Sequence, residues 1–222
     1  MNKYRYWHKI FKNEIYPNLN PDVSRNKKTI VETSNGAKER IYNLWQRGEG
    51  FKLIFETLLN KKDGNFKIIE TGTLRTLGAW SDGQSADVFS KFVSIFGGFV
   101  YSVDINKKSV EMANTVMNNE YFKSHHSDSV QWLQGFDNKH EVDLFYLDSY
   151  DCKWFQDTKS AEHHLKEFMV IEPYLNNTIV AIDDNIKLSS GIRSGKGRLI
   201  YEHLESKNHL PVYDDYQLIY KF

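Results

Sequence analysis

The 222-residue sequence has a single cysteine, Cys152, so it carries no intrachain disulfide and no cysteine-built zinc site. It has no excess of either charge, with 29 Lys and Arg against 29 Asp and Glu. That balance excludes nucleic-acid binding through a global positive field, but not through a local groove. No apolar run approaches the roughly 20 residues that cross a bilayer. Residues 1–20 are charged and aromatic and lack the apolar core of a signal peptide. A soluble, cytoplasmic protein is therefore expected. With 13 glycines and 4 prolines the chain is neither fibrous nor of low complexity. The 40% hydrophobic and 14% aromatic residues suffice for a packed core of one compact domain.

What is present alternates between two periods. Short apolar runs at Phe66–Glu70, Phe99–Val103, Val142–Leu147 and Asn177–Ile182 predict buried strands. Helical spacing predicts helices over Ala86–Phe96, Lys107–Asn118, Ser129–Leu133, Ala161–Ile171 and Gly197–Leu204. Leu210–Phe222 reads as a terminal hairpin. Residues 36–60 also read as helical: Ile41, Leu44 and Trp45 fall at i, i+3 and i+4, and a second run follows the Gly48-Glu49-Gly50 break. Residues 1–28 are basic, and Pro17 and Pro21 predict short helices or loops there. Strand–helix alternation implies a Rossmann-like, doubly wound, mostly parallel α/β sheet with helices on both faces and a C-terminal antiparallel hairpin. Residues 1–60 are expected to form a helical appendage on the core, and 61–222 the main domain.

In an open parallel sheet, ligands bind outside the carboxyl ends of the strands. Here each of four successive strands ends in an acid: Glu70, Asp104, Asp148 and the Asp183-Asp184-Asn185 group. Such recurrence points to an acidic, ligand-facing rim. Gly72, Gly78 and Gly83 let the first loop pass close to a ligand, and Ser81 or Asp82 is placed to cap the helix after it. The loop lacks the dinucleotide fingerprint, and its carboxylate opposes a pyrophosphate. Asp104 stands where a carboxylate accepts ribose hydroxyls, or else it caps the next helix in competition with Asn106.

Ile69-Glu70-Thr71-Gly72-Thr73, Tyr101-Ser102-Val103-Asp104, Ser127-Asp128-Ser129 and Asp143–Asp148 resemble, in order, the motifs of class I S-adenosylmethionine-dependent methyltransferases. The resemblance spans about residues 66–222. It implies that Glu70, Thr71, Gly72 and Thr73 wrap the methionine part of the cofactor, with Gly83 and Ser85 closing that loop. It further implies Asp104 and Ile105 at the ribose, Asp128 and Ser129 near the adenine, and Asp148 beside the transferred methyl. The loop from Gly72 to Gly83 is longer than in compact members, and Arg75 and Trp80 fall in its extra segment.

A narrower resemblance is to the metal-dependent O-methyltransferases of the catechol and caffeoyl-CoA type. It implies a divalent cation such as Mg²⁺ on Asp148, Asp184 and Asn185, since carboxylate and amide oxygens suit a hard ion. That family places a lysine three residues after the first metal aspartate. Asp151 stands there instead, leaving Asp148 and Asp151 as candidate catalytic groups and His125 or His126 as alternative bases.

O-methylation of a small molecule is the leading expectation. The alternatives are a metal-independent methyltransferase acting on nitrogen, a sugar or nucleic acid, and a non-catalytic Rossmann-like binding protein. Asp148-Ser149-Tyr150-Asp151 lacks the prolines of the nucleic-acid N-methylating families, which disfavours a nucleic-acid partner. Several other features have plain readings. His163 and Glu167, at i and i+4, suit an ion pair. Gly191–Gly197, with Lys196, reads as a flap over the site or a basic surface loop. Trp7, Trp45 and Trp132 read as packing residues and Trp154 as a wall of the acceptor pocket. Lys3, Arg5, Lys9 and Lys12 mark a solvated arm or a contact of a homodimer.

Overall fold

The computed structural model describes residues 2–20, 30–32, 38–40, 45–80, 84–188 and 190–222, the two short strands by their backbone alone. Those strands, β1 (Ile30–Glu32) and β2 (Lys38–Arg40), pair antiparallel. The main sheet has β3 (Phe66–Thr71) at its centre. On one side lie β4 (Gly98–Asp104) and β5 (Phe122–His126). On the other lie β6 (Leu144–Leu147) and β7 (Ile179–Ile182). These five strands are parallel. A small antiparallel pair, β8 (Asn185–Lys187) and β9 (Arg193–Gly195), follows β7. The chain ends in β10 (Tyr213–Asp214) and β11 (Leu218–Lys221), and β11 runs antiparallel to β7. The fold is the Rossmann-like, doubly wound sheet with a C-terminal antiparallel hairpin that the strand–helix alternation predicts.

Strand side chains alternate between two buried layers, as a period of two requires. Ile68, Leu144, Tyr146, Ile179 and Ala181 face one layer. Ile69, Phe145, Leu147, Val180 and Ile182 face the other. The first layer is closed by helices α1 (Lys3–Ile10), α2 (Tyr16–Leu19), α3 (Gly48–Lys61) and α4 (Ser85–Phe96). α5 (Lys107–Val116) follows β4. The second layer is closed by α6 (Ser129–Gly135), α7 (Thr158–Ile171) and α8 (Arg198–Glu205).

Three expectations change, two of them at the N-terminal end. Residues 3–19 form one helical run with a π segment at Phe11–Ile15. Its signal is the four-residue spacing of Trp7, Phe11, Ile15 and Leu19, all buried. Trp7 packs edge-on against Phe55 at 4.9 Å and Phe92 at 5.2 Å between ring centroids, so this face is core. Pro17 sits in the first turn of α2, directly after the π segment; Pro21 lies outside the described residues.

The helix expected over 36–60 begins only at Gly48, because Lys38–Arg40 is a strand. Gly48 and Gly50 are its first turn, not a break. A Cβ there would lie 2.2 Å from Asn20 Nδ2 and 2.0 Å from Gln217 Oε1. Trp45 is 42% exposed and precedes the helix, while Ile41 and Leu44 lie outside the described residues. The third change is β5: the polar Phe122–His126 edge strand has no buried apolar run to reveal it, and it takes His125 and His126 out of a loop.

Candidate active site

Two clefts open at the carboxyl ends of the parallel strands. The first, about 590 Å³, is lined by Asp104, Ile105, Asp128, Ser129, Tyr150 and His163, among others. The second, about 330 Å³, is lined by Asp148, Asp183, Asp184 and Lys196, with Trp45, Trp80, Trp154 and Tyr216 around them. Gly72, Arg75 and Asp151 belong to both walls.

Gly72 sits at the join. Its φ is +86°, and a Cβ would meet the Asp148 carbonyl oxygen at 2.6 Å, so only glycine lets this loop turn so close to the end of β6. Its N–H donates to the Val103 carbonyl at 2.8 Å. Thr73 N–H donates to Asp104 Oδ2 at 3.2 Å, and Asn106 N–H to Oδ1 at 2.7 Å. The cap of α5 is Asn106, whose side chain accepts from Lys108 and Ser109. Asp104 is thus free of capping, and each carboxylate oxygen keeps a lone pair for a ligand. Asp128 caps α6 by accepting from Gln131 N–H at 3.0 Å, beside the cleft it lines.

Glu70 is fully buried. Ser102 Oγ donates to its Oε2 at 3.0 Å, and its Oε1 has no partner. Burial pushes its carboxyl up to about 8, against the opposing pull of hydrogen bonds from Ser85 and Ser102. Thr73 and Ser85 line the second cleft. Thr71 turns to the other face, where its hydroxyl donates to Glu167 Oε2 at 3.2 Å. Gly83, Ser81 and Asp82 lie outside the described residues.

Glu167 anchors a buried network beneath the first cleft. Ser149 Oγ donates to it at 2.7 Å, and His163 Nε2 lies 3.4 Å from it and 2.9 Å from Ser129 Oγ. The expected ion pair of His163 and Glu167 therefore exists, but at a carboxylate with no exposure. Neighbouring His164, also fully buried, is pushed down to about 4 by desolvation.

The second cleft holds three carboxylates whose oxygens come within 4.8 Å of one another: Asp148, Asp183 and Asp184. Two cations meet them, a buried Lys196 and an Arg47 that is 11% exposed at its side chain. Lys196 Nζ lies 2.5 Å from Asp148 Oδ1 and 2.9 Å from Asp184 Oδ2. Arg47 lies 2.6 Å from Asp183 Oδ2 and 3.0 Å from Asp184 Oδ1, and its guanidinium stacks 4.7 Å from the Tyr216 ring centroid. Tyr216 also donates its hydroxyl to Asp184 Oδ1. Burial first, and then the neighbouring aspartates, push Asp148 up to about 7 despite the ammonium beside it. Lys196 and Arg47 instead hold Asp184 well below the usual carboxylate range.

Several expected roles change here. Asn185 does not join the carboxylates. Its amide donates to the Ile182 and Asp183 carbonyls, and its Oδ1 accepts from Gly197 N–H at 2.8 Å, so it ties the turn after β7. Asp151 is 80% exposed at its side chain and pairs with Arg75 at 2.8 Å, across the shared wall. Gly191–Gly197 is no flap or surface loop: β9 pairs with β8, and Lys196 beyond it is 4% exposed at its side chain. His125 packs on Tyr101 and Trp132 at the edge of the sheet, where burial pushes its pKa down, and His126 reaches the Ile105 carbonyl. The Cys152 thiol, pushed up to about 11 by burial, is no nucleophile. Sequence reasoning missed Arg47 and the inward turn of Lys196, because each lies far along the chain from the acids it meets.

No protein-family model and no curated protein matches the chain. Among solved structures it is similar to MycE methyltransferase of the mycinamycin pathway, in complex with Mg and SAH, at 14% identity and TM-score 0.43. The match covers 63% of this chain and 34% of that one. It is similar to human methyltransferase 10 domain containing protein at 9% identity and TM-score 0.48, over 78% and 81% of the two chains. It is also similar to a Burkholderia thailandensis 1,6-didemethyltoxoflavin-N1-methyltransferase with S-adenosylhomocysteine bound. That match has 10% identity and TM-score 0.42, over 99% and 89%. The chain spans about a third of the length of MycE.

Proposed function

We propose that the chain is an S-adenosylmethionine-dependent methyltransferase whose acceptor is a hydroxyl of a small molecule. One observation carries this reading: two clefts of different chemistry meet at Gly72, Arg75 and Asp151, on the carboxyl edge of a doubly wound sheet. A two-substrate transfer needs that layout, with the reacting groups brought together at the join.

The residues of the first cleft suit a nucleoside with a positively charged tail. Asp104 offers two oxygens to the ribose hydroxyls, each such bond being worth roughly 1.5–3 kcal/mol. Ile105 offers an exposed apolar surface beside it, and Asp128 and Ser129 stand at the adenine end. Gly72, at the join of the two clefts, turns the loop past the methionine part, and Glu70 is buried behind that loop. S-adenosylmethionine, when bound, supplies a methyl group activated by its attachment to a cationic sulfur.

The second cleft supports the acceptor role. Trp45, Trp80 and Trp154 wall a space of about 330 Å³, which suits a small ring-bearing molecule better than a polymer. Asp148, at about 7, is a carboxylate able to take the acceptor's proton near neutrality. Arg47 and Lys196 hold the acids in register around it. A divalent cation does not fit the residues as placed: Asn185 is spent on the turn, and the ammonium of Lys196 lies between Asp148 and Asp184.

Calorimetric titration with S-adenosylhomocysteine tests the reading. Micromolar binding that weakens in Asp104→Ala is expected. A silent titration at millimolar ligand would overturn the reading and leave a non-catalytic binding protein.

A further inference from the structure

We infer that Lys196 is a built-in cation standing where a divalent ion would otherwise sit, so that this acid cluster works without a metal. The inference deepens the proposed reading by making the reaction metal-independent; the ion-binding claim itself stands whether or not a methyl group is transferred.

Three acid oxygens within 4.8 Å of one another are a spacing a hard cation can use. The chain has filled it. The Lys196 ammonium contacts Asp148 Oδ1 and Asp184 Oδ2, and it reaches the Asp148 carbonyl oxygen at 3.3 Å. Arg47 takes Asp183 Oδ2 and Asp184 Oδ1, the latter shared with Tyr216. Two carboxylate oxygens remain, Asp183 Oδ1 and Asp148 Oδ2, and Mg²⁺ requires a near-octahedral set. A divalent ion placed there would also face the positive charges of Lys196 and Arg47 across a few ångströms.

The lysine is built in rather than passing through. Gly195 has φ +127°, and a Cβ on it would meet the Asp184 carbonyl oxygen at 2.2 Å, so β9 lies directly on the turn that bears the acids. Lys196 N–H donates to that same carbonyl at 3.1 Å, and Gly197 N–H to Asn185 Oδ1. Behind them Asp157 Oδ2 accepts from Gly195 N–H at 2.6 Å, Ser194 Oγ at 3.2 Å and Arg198 Nε at 3.2 Å. The Asp-Asp-Asn group thus builds the turn that holds a lysine, with Asn185 as its tie.

The test is a calorimetric titration of the protein with Mn²⁺ and with Mg²⁺, beside the same titrations of Lys196→Met, which keeps the stem and removes the charge. The wild type should bind neither ion up to millimolar concentration, and a chelator should leave its melting temperature unchanged. Lys196→Met should gain affinity at least tenfold, and Asp183→Asn added to it should abolish the gain. Micromolar binding by the wild type, or no gain in the variant, overturns the inference. Should Lys196→Met not fold, the wild-type titration and chelator scan decide alone. A separate S-adenosylhomocysteine titration reports on the transferase reading, so the two can fail independently.

Discussion

The two clefts keep buried acid in different ways. On the first side, Asp104 rests on two backbone N–H groups, and behind the join burial pushes the Glu70 carboxyl up to about 8. On the second, Asp148, Asp183 and Asp184 share Lys196 and Arg47. Backbone donors leave the carboxylate's charge free for a ligand. Side-chain cations consume it and fix the geometry. The difference suits a side that captures a cationic nucleoside and a side that must align an acceptor and take its proton. It is sharpest in stability. Arg47→Met leaves Asp183 without its cation while Asp184 keeps Lys196 and Tyr216, and breaking such a pair from one side costs about 3–5 kcal/mol. Asp104→Asn keeps one acceptor oxygen and loses the other hydrogen bond to a backbone N–H at a partly exposed site, which should cost about 1 kcal/mol. Denaturant midpoints of the two variants compare them directly; equal losses would erase the distinction.

Function separates the clefts the other way. Asp148→Asn keeps the shape of the second cleft but cannot take a proton, and loss of a general base costs roughly 10²–10⁴-fold in rate. The wild-type rate should rise with pH through about 7, as the acid cluster loses its proton. Cofactor affinity should barely change. Asp104→Ala should do the reverse: S-adenosylhomocysteine should bind about 10–100-fold more weakly for each charged hydrogen bond lost, while the pH profile stays put. A flat pH–rate profile, or a shared loss of affinity, would merge the two roles.

The gathering of Asp104, Ile105, Asp128 and Ser129 in one cleft was legible in the sequence, and the places of Thr71, Thr73 and Ser85 and the partners of the second cleft's acids were not, for a physical reason. Asp104, Asp128 and Gly72 act through neighbours a few residues away, or through the sheet position that any parallel strand end shares. Strand periodicity therefore places them. Asp148, Asp183 and Asp184 were legible by the same rule. Their partners were not: Arg47 lies 136 residues from Asp183 and Lys196 lies 48 from Asp148. Nothing in Gly191–Gly197 announces that a two-strand ribbon turns its lysine inward. Asn185 misled because the residue that suits a metal also suits a turn. The stripe of Trp7, Phe11, Ile15 and Leu19 was legible but hidden behind the two prolines. Phe122–His126 has no apolar run, because an edge strand need not be covered on both faces.

The smallest effect sharpens the comparison most, since it tests the proton on Glu70 without any ligand. An unfolded Glu ionises above 4.5, whereas the folded one keeps its proton to about 8. Between those values the folded state binds more protons than the unfolded state, so this group makes stability fall as pH rises, and the loss levels off above 8. Glu70→Gln has no proton to lose and keeps an oxygen to accept from Ser102. At pH 8 the shift favours the variant by about 4 kcal/mol, and the amide N–H groups it buries without a partner cost about 1–3 kcal/mol, so it should be more stable than the wild type by on the order of 1–3 kcal/mol. Toward pH 4.5 the gap should close and reverse. Melting curves of both proteins from pH 5 to pH 9 measure this. A variant less stable than the wild type at pH 8 would mean that Glu70 is charged in the fold, and that a cation unaccounted for stands beside it. The first cleft would then neutralise its acids as the second does, by charge rather than by proton.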